Sequence, residues 1–272
     1  MSEIKYPAEV EAAFLVICDQ PRDFIDRMEK LPSLGKYELQ SCKKRMIRDR
    51  YFDTPEHALQ DQRIALRIRE VNGKQLTTLK GPSRSLPRGG VERVEIEEEW
   101  SDAVFRTILE VLKSNNIDIE YPMQAVGDED PLALMSLHRL CLVQERKTER
   151  TIRNVAHKVG DDHLVVAEMA IDVVTYLFGD IDSPIRIYQI EIEEKDRGSP
   201  LIMGELADKL VDKFKPEIRR WSYGKLATGK AIKKLLGECD REKIVDSEGN
   251  LAPDVYDWIE NYLRKNNKSD AQ

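Results

Sequence analysis

The chain contains many short segments in which apolar and polar residues alternate. A period of two places successive side chains on opposite faces, so these segments predict β-strands. Most of them follow one another closely, and the turn signal Asn72-Gly73 joins two of them directly, which favours antiparallel pairing. The eight predicted strands are Glu9–Ile17, Ile47–Phe52, Ile64–Val71, Lys74–Leu79, Val91–Trp100, Leu140–Arg153, Leu164–Leu177 and Ile185–Lys195.

Three other segments carry apolar residues at helical spacing. They predict helices over Asp102–Ser114, Leu201–Phe214 and Asp254–Arg264. Strands that form a set of their own, with the helices inserted late, indicate an α+β fold rather than alternating βαβ units. The predicted architecture is an eight-stranded antiparallel β-barrel, or tunnel, with the helices packed outside.

One face of most predicted strands is charged. Arg67 and Arg69 share a face of their strand, and Glu191 and Glu193 share a face of theirs. Such alternation alone is typical of a half-buried sheet with its charged face in water. If helices cover the apolar faces from outside, however, the charged faces point inward, where they are costly unless a ligand neutralises them. A polyphosphate with a divalent metal ion would do so, because Arg and Lys hold phosphate oxygens and carboxylates hold the metal.

The composition restricts the partners that such a protein can have. The chain has 272 residues, of which 41% are hydrophobic and 34% charged, and its net charge is −7. An acidic chain has no overall field that attracts nucleic acid or an anionic membrane, so neither is expected as a partner. The four cysteines are interpreted as reduced thiols, and neither a signal peptide nor a membrane span is predicted. We therefore expect a cytoplasmic protein.

Several motifs in a fixed order resemble one known family. Arg50–Pro55 reads RYFDTP, Ile64–Arg69 reads IALRIR and Leu76–Pro82 reads LTTLKGP. These are similar to the YFDTP, ALRxR and LTLKGP segments of the CYTH superfamily, also called triphosphate tunnel metalloenzymes. Glu9–Val16 resembles the ExExK strand that opens the family pattern, and Gly224–Gly229 resembles its late SKYxRGL segment. The resemblance covers about four fifths of the chain.

The resemblance implies metal-dependent hydrolysis of a triphosphate-containing small molecule in a charged β-tunnel, with Mg²⁺ or Mn²⁺ as cofactor. The implied catalytic residues are Glu9, Glu11 and Lys225. The implied metal ligands are Glu9, Glu11, Glu95, Asp172, Glu191 and Glu193. The implied phosphate-binding residues are Arg67, Arg69, Lys80, Arg93, Arg146, Arg150 and Lys225, where Arg150 is included because it shares a strand face with Arg146.

Ala13 departs from the family pattern, because it occupies the position of the ExExK lysine. That lysine contacts substrate in the family, and one such donor can be worth on the order of 10²–10³ in rate. Gln144 similarly stands where the family often has a basic residue. Two alternatives to hydrolysis therefore stay open: a non-catalytic polyphosphate- or nucleotide-binding module, and a class IV adenylyl cyclase.

The remaining features are assigned as follows. Residues 1–236 are expected to form the tunnel domain, and 237–272 a C-terminal helical extension with a frayed tail. The helix that carries Trp258 is expected to pack on the barrel or across a homodimer interface. The basic loop Lys80–Arg93 is either a phosphate-binding flap or a solvated hairpin, and Lys43–Arg50 is predicted to be a solvated face. The four histidines have no ligand spacing, so no zinc site is proposed.

Overall fold

A ten-stranded antiparallel sheet dominates the computed structural model, which describes residues 8–85, 91–119, 130–159, 162–179, 184–195 and 200–269. The predicted α+β class and antiparallel pairing are confirmed, with ten strands in place of the predicted eight. The strands are β1 (Ala8–Val16), β2 (Ser33–Leu34), β3 (Tyr37–Asp53), β4 (Ala65–Val71), β5 (Lys74–Ser85), β6 (Val91–Glu99), β7 (Cys141–Val159), β8 (Asp162–Leu177), β9 (Ile185–Glu194) and β10 (Ile218–Trp221).

The strand order is β10-β1-β6-β5-β4-β3-β7-β8-β9, with β2 paired to β3. The first strand has three partners. Residues Ala8–Glu11 pair with β6, Ala13–Val16 pair with β10, and Glu11–Leu15 pair with β9. Strand β1 therefore contacts both its neighbours in this order and the strand at the far end of it.

Seven α-helices are described, of which α3, α5 and α7 were predicted from apolar periodicity. The other four were missed because they are short or, like α6, carry Gly and Thr within a weak apolar pattern. Helix α7 continues to Ser269, beyond the predicted end at Arg264. The helices are α1 (Pro21–Lys30), α2 (Ala58–Asp61), α3 (Asp102–Ser114), α4 (Pro131–Leu137), α5 (Pro200–Phe214), α6 (Lys225–Leu236) and α7 (Val255–Ser269).

The helices cover the apolar face of the sheet in three hydrophobic clusters. Helices α1 and α5 pack on β1, β8 and β9, where Phe14 and Ile190 are fully buried. Helices α6 and α7 pack on the other half of β8 and β9. Helices α2, α3 and α4 pack on β4, β5 and β6 around Leu66 and Ile68. Each large apolar side chain buried in this way contributes roughly 1.5–3 kcal/mol. The opposite face of the same strands carries the charged residues.

The residues after position 237 pack on the same sheet. The amide of Arg186 in β9 donates to the carbonyl of Gly249 at 2.8 Å, and the Tyr188 hydroxyl donates to Oδ1 of Asn250 at 2.7 Å. Helix α7 buries Tyr256 and Ile259 against β8 and β9. The boundary at 237 stays a prediction, but the segment that follows it is fixed on the body. Of the helices in the described ranges, none has the length and apolarity needed to cross a membrane.

Candidate functional site

A cavity of about 1520 Å³ lies along the charged faces of the strands. Because side chains alternate along each strand, the residues two apart from one another line this cavity together. It therefore brings together most of the residues predicted from the sequence. The predicted residues that line it are Glu11, Arg67, Arg69, Lys80, Glu95, Arg146, Arg150, Glu191, Glu193 and Lys225.

A buried aspartate holds the first group of arginines. Asp49 in β3 is 1% exposed and lies directly opposite Arg69 in β4 and Arg146 in β7. Arg69 donates to both carboxylate oxygens, at 2.8 and 3.1 Å, and Arg146 donates to Oδ2 at 2.9 Å. Nη1 of Arg67 lies 3.8 Å from the same oxygen. One carboxylate thus collects three guanidinium groups, and we call this set the Asp49 cluster.

Arg146 retains unused donors within this cluster. Its Nη2 donates to the Tyr51 hydroxyl at 2.6 Å, and its guanidinium lies over the Tyr51 ring at 4.8 Å from the centroid. The side chain is 3% exposed. Within the part of the chain that the structure describes, neither Nε nor Nη1 of Arg146 has a hydrogen-bond partner. A buried donor without an acceptor costs about 1–3 kcal/mol, and more when it is charged.

The Asp49 cluster extends across β5 and β6. Arg67 donates to Oγ1 of Thr78 at 3.1 Å and to Oε2 of Glu97 at 2.8 Å, and the Thr78 hydroxyl donates to the same Glu97 oxygen. Nζ of Lys80 lies 2.6 Å from Oε2 of Glu95. Glu95 thus neutralises a lysine here, whereas the resemblance implied a metal ligand at this position.

A second group, the Glu191 cluster, joins β7, β8, β9 and α6. Arg150 lies directly opposite Asp172 and donates to its two oxygens at 2.8 and 2.6 Å. It also donates to Oε2 of Glu191 at 2.7 Å. Lys225 at the start of α6 lies 3.1 Å from Oδ2 of Asp172 and donates to Glu191. Two cations and two carboxylates therefore neutralise one another in a buried setting.

The electrostatics of the two clusters favour the ionised forms of Asp49 and Glu191. Burial alone would raise the pKa of Asp49, but Arg67, Arg69 and Arg146 together hold it well below its usual range. Burial opposes ionisation of Glu191 as well, and Lys225 and Arg150 outweigh it, so its pKa is lowered.

The same balance stabilises the charged form of the arginines. Burial would lower the pKa of Arg67, but Asp49 and its other anionic neighbours raise it well above the usual value.

The start of α6 is fixed over the cavity by two residues that the sequence analysis did not assign. The Tyr176 hydroxyl donates to the carbonyl of Lys225 at 2.8 Å, and Nε2 of Gln144 donates to the carbonyl of Leu226 at 3.1 Å. A Cβ at Gly229 would collide with both Gln144 and Tyr176, so only glycine allows this approach. These contacts set the position from which Lys225 reaches the carboxylates.

The described residues do not form the metal site that the resemblance implied. Asp172 and Glu191 are engaged by Arg150 and Lys225, and among the residues described no three Asp, Glu, His or Cys side chains could hold an ion. Glu193 lies directly opposite Glu11 in the β1–β9 ladder and opposite Glu168 in the β8–β9 ladder. This row supplies hard oxygen donors, which is the chemistry that Mg²⁺ and Mn²⁺ prefer.

The structure describes some of the other predicted residues only in part. The backbones of Glu9 and Arg93 pair across β1 and β6, but their side chains lie outside the described residues, as does most of the Lys80–Arg93 loop. Ala13 lies directly opposite Glu191 in the β1–β9 ladder. Its side chain therefore shares the strand face of that carboxylate, as the ExExK pattern implied for this position.

Asp49 and Tyr51 were missed because they lie in or beside the charged segment Lys43–Arg50, which was interpreted as a solvated face. That interpretation is wrong for Asp49, since only part of the segment is exposed. The bulge between Ser41 and Lys43 and the cross-strand register decide which residues face inward. Asp49 and Tyr51 are two residues apart, which places them on the same face of a strand. This spacing was the signal in the sequence that could have identified them as site residues.

Several solved structures are similar to this chain over most of its length. A Hippeastrum protein assigned as an adenylyl cyclase, with a dominant triphosphatase activity, is 14% identical; the match covers 82% of this chain and 95% of that one, with a TM-score of 0.48. A Bacillus halodurans protein assigned as an adenylate cyclase is 17% identical; the match covers 76% of this chain and 90% of that one, with a TM-score of 0.40. The triphosphatase of the Mimivirus capping enzyme is 9% identical; the match covers 76% of this chain and 89% of that one, with a TM-score of 0.36. At these values the similarities carry no argument about activity.

No curated protein matches the chain. A model of the CYTH domain matches residues 19–216, which is well over half of the sequence. The match includes the Asp49 cluster and all of the Glu191 cluster except Lys225. The chain therefore belongs to the CYTH family.

Proposed function

We propose that the charged strand faces enclose a tunnel that binds a triphosphate and hydrolyses it. Members of the CYTH family are triphosphatases or adenylyl cyclases, and the family binds triphosphate substrates. The pairing of β1 with both β6 and β9 supports closure of the sheet around the cavity. The choice of hydrolysis, and of this cavity as its site, is our inference.

The proposal rests on two hydrogen-bond donors of Arg146. Its Nε and Nη1 are buried donors without a partner in the described chain, and they belong to a side chain that lines the cavity. Asp49 and Tyr51 occupy its Nη2. A phosphate group would supply acceptors for the remaining donors, and guanidinium–phosphate pairs are among the stronger hydrogen bonds in proteins. Arg67, Arg69 and Lys80 stand nearby to share the charge.

Catalysis in such a site is mainly positioning and electrostatic stabilisation. The Asp49 cluster is held rigid before substrate binds, so its guanidinium groups would oppose the charge that develops on phosphate oxygens without reorganising. Lys225 and Arg150 would contribute further positive charge from the other wall. Water would attack the terminal phosphorus, and the bond from that phosphorus to the bridging oxygen would break opposite the attacking water. The rest of the chain would leave as a diphosphate, and the terminal group would be released as orthophosphate.

CYTH enzymes generally depend on divalent metal ions. A Mg²⁺ or Mn²⁺ ion here would be held by Glu11 and Glu193 together with substrate phosphates, since Mg²⁺ commonly combines one or two carboxylates with phosphate oxygens. It would supply neutralising charge. Glu193 pairs with the half-exposed Lys195 at 3.3 Å. Asp172 and Glu191 are less suited to this role because the more deeply buried Arg150 and Lys225 pair with them.

The test combines binding and turnover. Calorimetry would measure the affinity for tripolyphosphate, and phosphate release would be followed with Mg²⁺ and with Mn²⁺. Arg146→Lys keeps the charge but loses the planar fork, so we expect at least tenfold weaker binding. Arg48→Lys is the matched control, because Arg48 lies on β3, the strand paired with β7, and pairs with Glu145 outside the cavity. Absence of binding, or equal effects of the two variants, would reject the proposal.

A second candidate is a binding module without turnover, and Ala13 favours it. The alanine lies on the same face as Glu191, where the family pattern has a cation. Tight tripolyphosphate binding with no phosphate release under either metal would establish this alternative and exclude hydrolysis.

A further inference from the structure

Arg45 is a cavity-lining cation that the sequence analysis did not assign to the site. Arg45, Ile47 and Asp49 are spaced two residues apart on β3, so their side chains share one face of the strand. All three line the cavity. The segment Lys43–Arg50 was interpreted as a solvated face, but the structure places Arg45 on the inner side of the sheet.

The guanidinium group of Arg45 lacks the anionic partners that hold its neighbours. Arg69 donates to both oxygens of Asp49. Arg150 donates to both oxygens of Asp172. In the part of the chain that the structure describes, the side chain of Arg45 forms no hydrogen bond or ion pair, although its Nε is buried. A buried donor without an acceptor destabilises the fold, and an acceptor that enters the cavity would remove this cost.

A second cation lies next to Arg45. Arg45 and Arg150 are directly opposite each other in the β3–β7 ladder. Residues in such a pair have Cβ atoms about 4.5–5.5 Å apart, and like charges at these positions are destabilising. The carboxylates that Arg150 contacts belong to β8 and β9, on the side of β7 away from β3. The wall at Arg45 therefore carries positive charge that an anion in the cavity would neutralise.

This position lies in line with the Asp49 cluster. The β3–β7 ladder pairs Asp49 with Arg146, and four residues along the same face it pairs Arg45 with Arg150. At about 3.3 Å per residue, the Cα atoms of the two pairs lie roughly 13 Å apart. Arg146 offers its Nε and Nη1 from one level, and Arg45 offers its guanidinium from the other. A chain of three phosphates covers more of the space between these groups than a chain of two.

We propose that Arg45 binds the phosphate farthest from Arg146 and thereby sets a preference of the cavity for three phosphates over two. The inference rests on the proposed triphosphate binding. One end of the chain would accept hydrogen bonds from Arg146, and the other end would neutralise Arg45 beside Arg150. A diphosphate held at Arg146 would end short of Arg45. The residue that measures chain length would then lie outside the motifs that carry the family resemblance.

Calorimetry on the full chain with Mg²⁺ would compare the affinities for tripolyphosphate and pyrophosphate. For Arg45→Met we expect at least roughly tenfold weaker binding of tripolyphosphate, because a hydrogen bond between two charged groups is lost. The affinity for pyrophosphate should stay within about threefold of the wild type, since its contacts with Arg146 remain and a more distant charge is screened.

Arg48→Met is the matched control for the loss of one positive charge. Arg48 lies on the same strand as Arg45 but pairs with Glu145 outside the cavity. This variant should keep both affinities of the wild type.

Thermal unfolding distinguishes this role from a structural one. Arg45 faces a like charge and has no bonded partner among the described residues, so Arg45→Met should leave the unfolding midpoint unchanged or raise it. A clearly lower midpoint would show that Arg45 supports the fold, and it would contradict the proposal.

The outcomes separate this inference from the proposed function. If Arg45→Met matches Arg48→Met, or weakens tripolyphosphate and pyrophosphate equally, Arg45 does not measure chain length and only the proposed function stands. The same conclusion follows if the wild type binds both ligands equally well, a comparison that needs no variant. If tripolyphosphate does not bind to the wild type, both proposals are wrong.

Discussion

Ala13 and Glu191 lie directly opposite each other in the β1–β9 ladder. A side chain at position 13 therefore shares the strand face of a carboxylate that is already engaged by Lys225 and Arg150. The family pattern has a lysine where this chain has Ala13. The substitution leaves the Glu191 cluster with two cations where that lysine would add a third.

Ala13→Lys should increase phosphate release from a triphosphate by tenfold or more. The added ammonium would lie beside Glu191 and add positive charge close to the bound phosphates, where one donor can be worth on the order of 10²–10³ in rate. Initial rates at saturating substrate would measure the effect. Ala12→Lys would not serve as a control because Ala12 is in the core, so Ala13→Met provides the uncharged match. Equal rates for the lysine and methionine variants would contradict the expectation.

Lys225→Met should weaken triphosphate binding by at least tenfold near neutral pH. Its loss leaves Asp172 and Glu191 with Arg150 alone, so negative charge remains beside the phosphates and the pKa of Glu191 rises. Part of the affinity should return as the pH is lowered and Glu191 becomes protonated.

Affinity measured between pH 4 and 8, a range that reaches the ordinary pKa of a glutamate, would test this. Lys234→Met, on the exposed side of α6, should match the wild type. A variant whose affinity is as independent of pH as that of the wild type would exclude this role for Lys225.

Asp49→Asn should lower the free energy of unfolding by about 3–5 kcal/mol, because removing one partner of a buried ion pair leaves uncompensated charge. Three arginines depend on this carboxylate. Urea unfolding would measure the change. Glu99→Gln, which breaks an exposed pair with Lys74, should cost less than about 1 kcal/mol. If the two variants are equally stable, Asp49 does not hold the cluster together.

The protein should lose stability in acid. The folded-state pKa of Asp49, Glu97 and Glu191 is lowered, so these groups stabilise the fold fully above their unfolded pKa of about 4. The stabilisation is lost progressively as the pH falls below that value toward the folded pKa. Denaturation midpoints between pH 2 and 7 would show the decline. Asp49→Asn should make the decline shallower, and an identical slope would show that Asp49 does not contribute.

The sequence predicted elements well where one periodicity was strong. Helix α3 was found with its bounds because Val104, Ile108 and Leu112 recur at helical spacing, and β4 because Arg67 and Arg69 alternate with apolar residues. Helix α6 lacks such a stripe. Its place is set instead by tertiary contacts from Tyr176 and Gln144, which no local pattern contains.

The sequence predicted many of the charged residues that line the site, but not which of them form ion pairs. Arg67, Arg146 and Arg150 were identified from parity and resemblance, and they line one cavity. Which carboxylate each one meets depends on the register between strands far apart in sequence, and parity within a strand does not fix that register. Asp49 was missed because its partner Arg146 lies nearly a hundred residues later in the sequence.

The three partners of β1 also govern when the cavity can form during synthesis. This strand leaves the ribosome before its partners β9 and β10, which follow it by roughly 170 to 200 residues. At typical translation rates the delay is about 10–40 s. Throughout that interval the nascent chain carries inward-facing arginines and carboxylates whose surrounding wall is incomplete. The ion pairs of the Glu191 cluster can therefore assemble only after Lys225 at the start of α6 has been made.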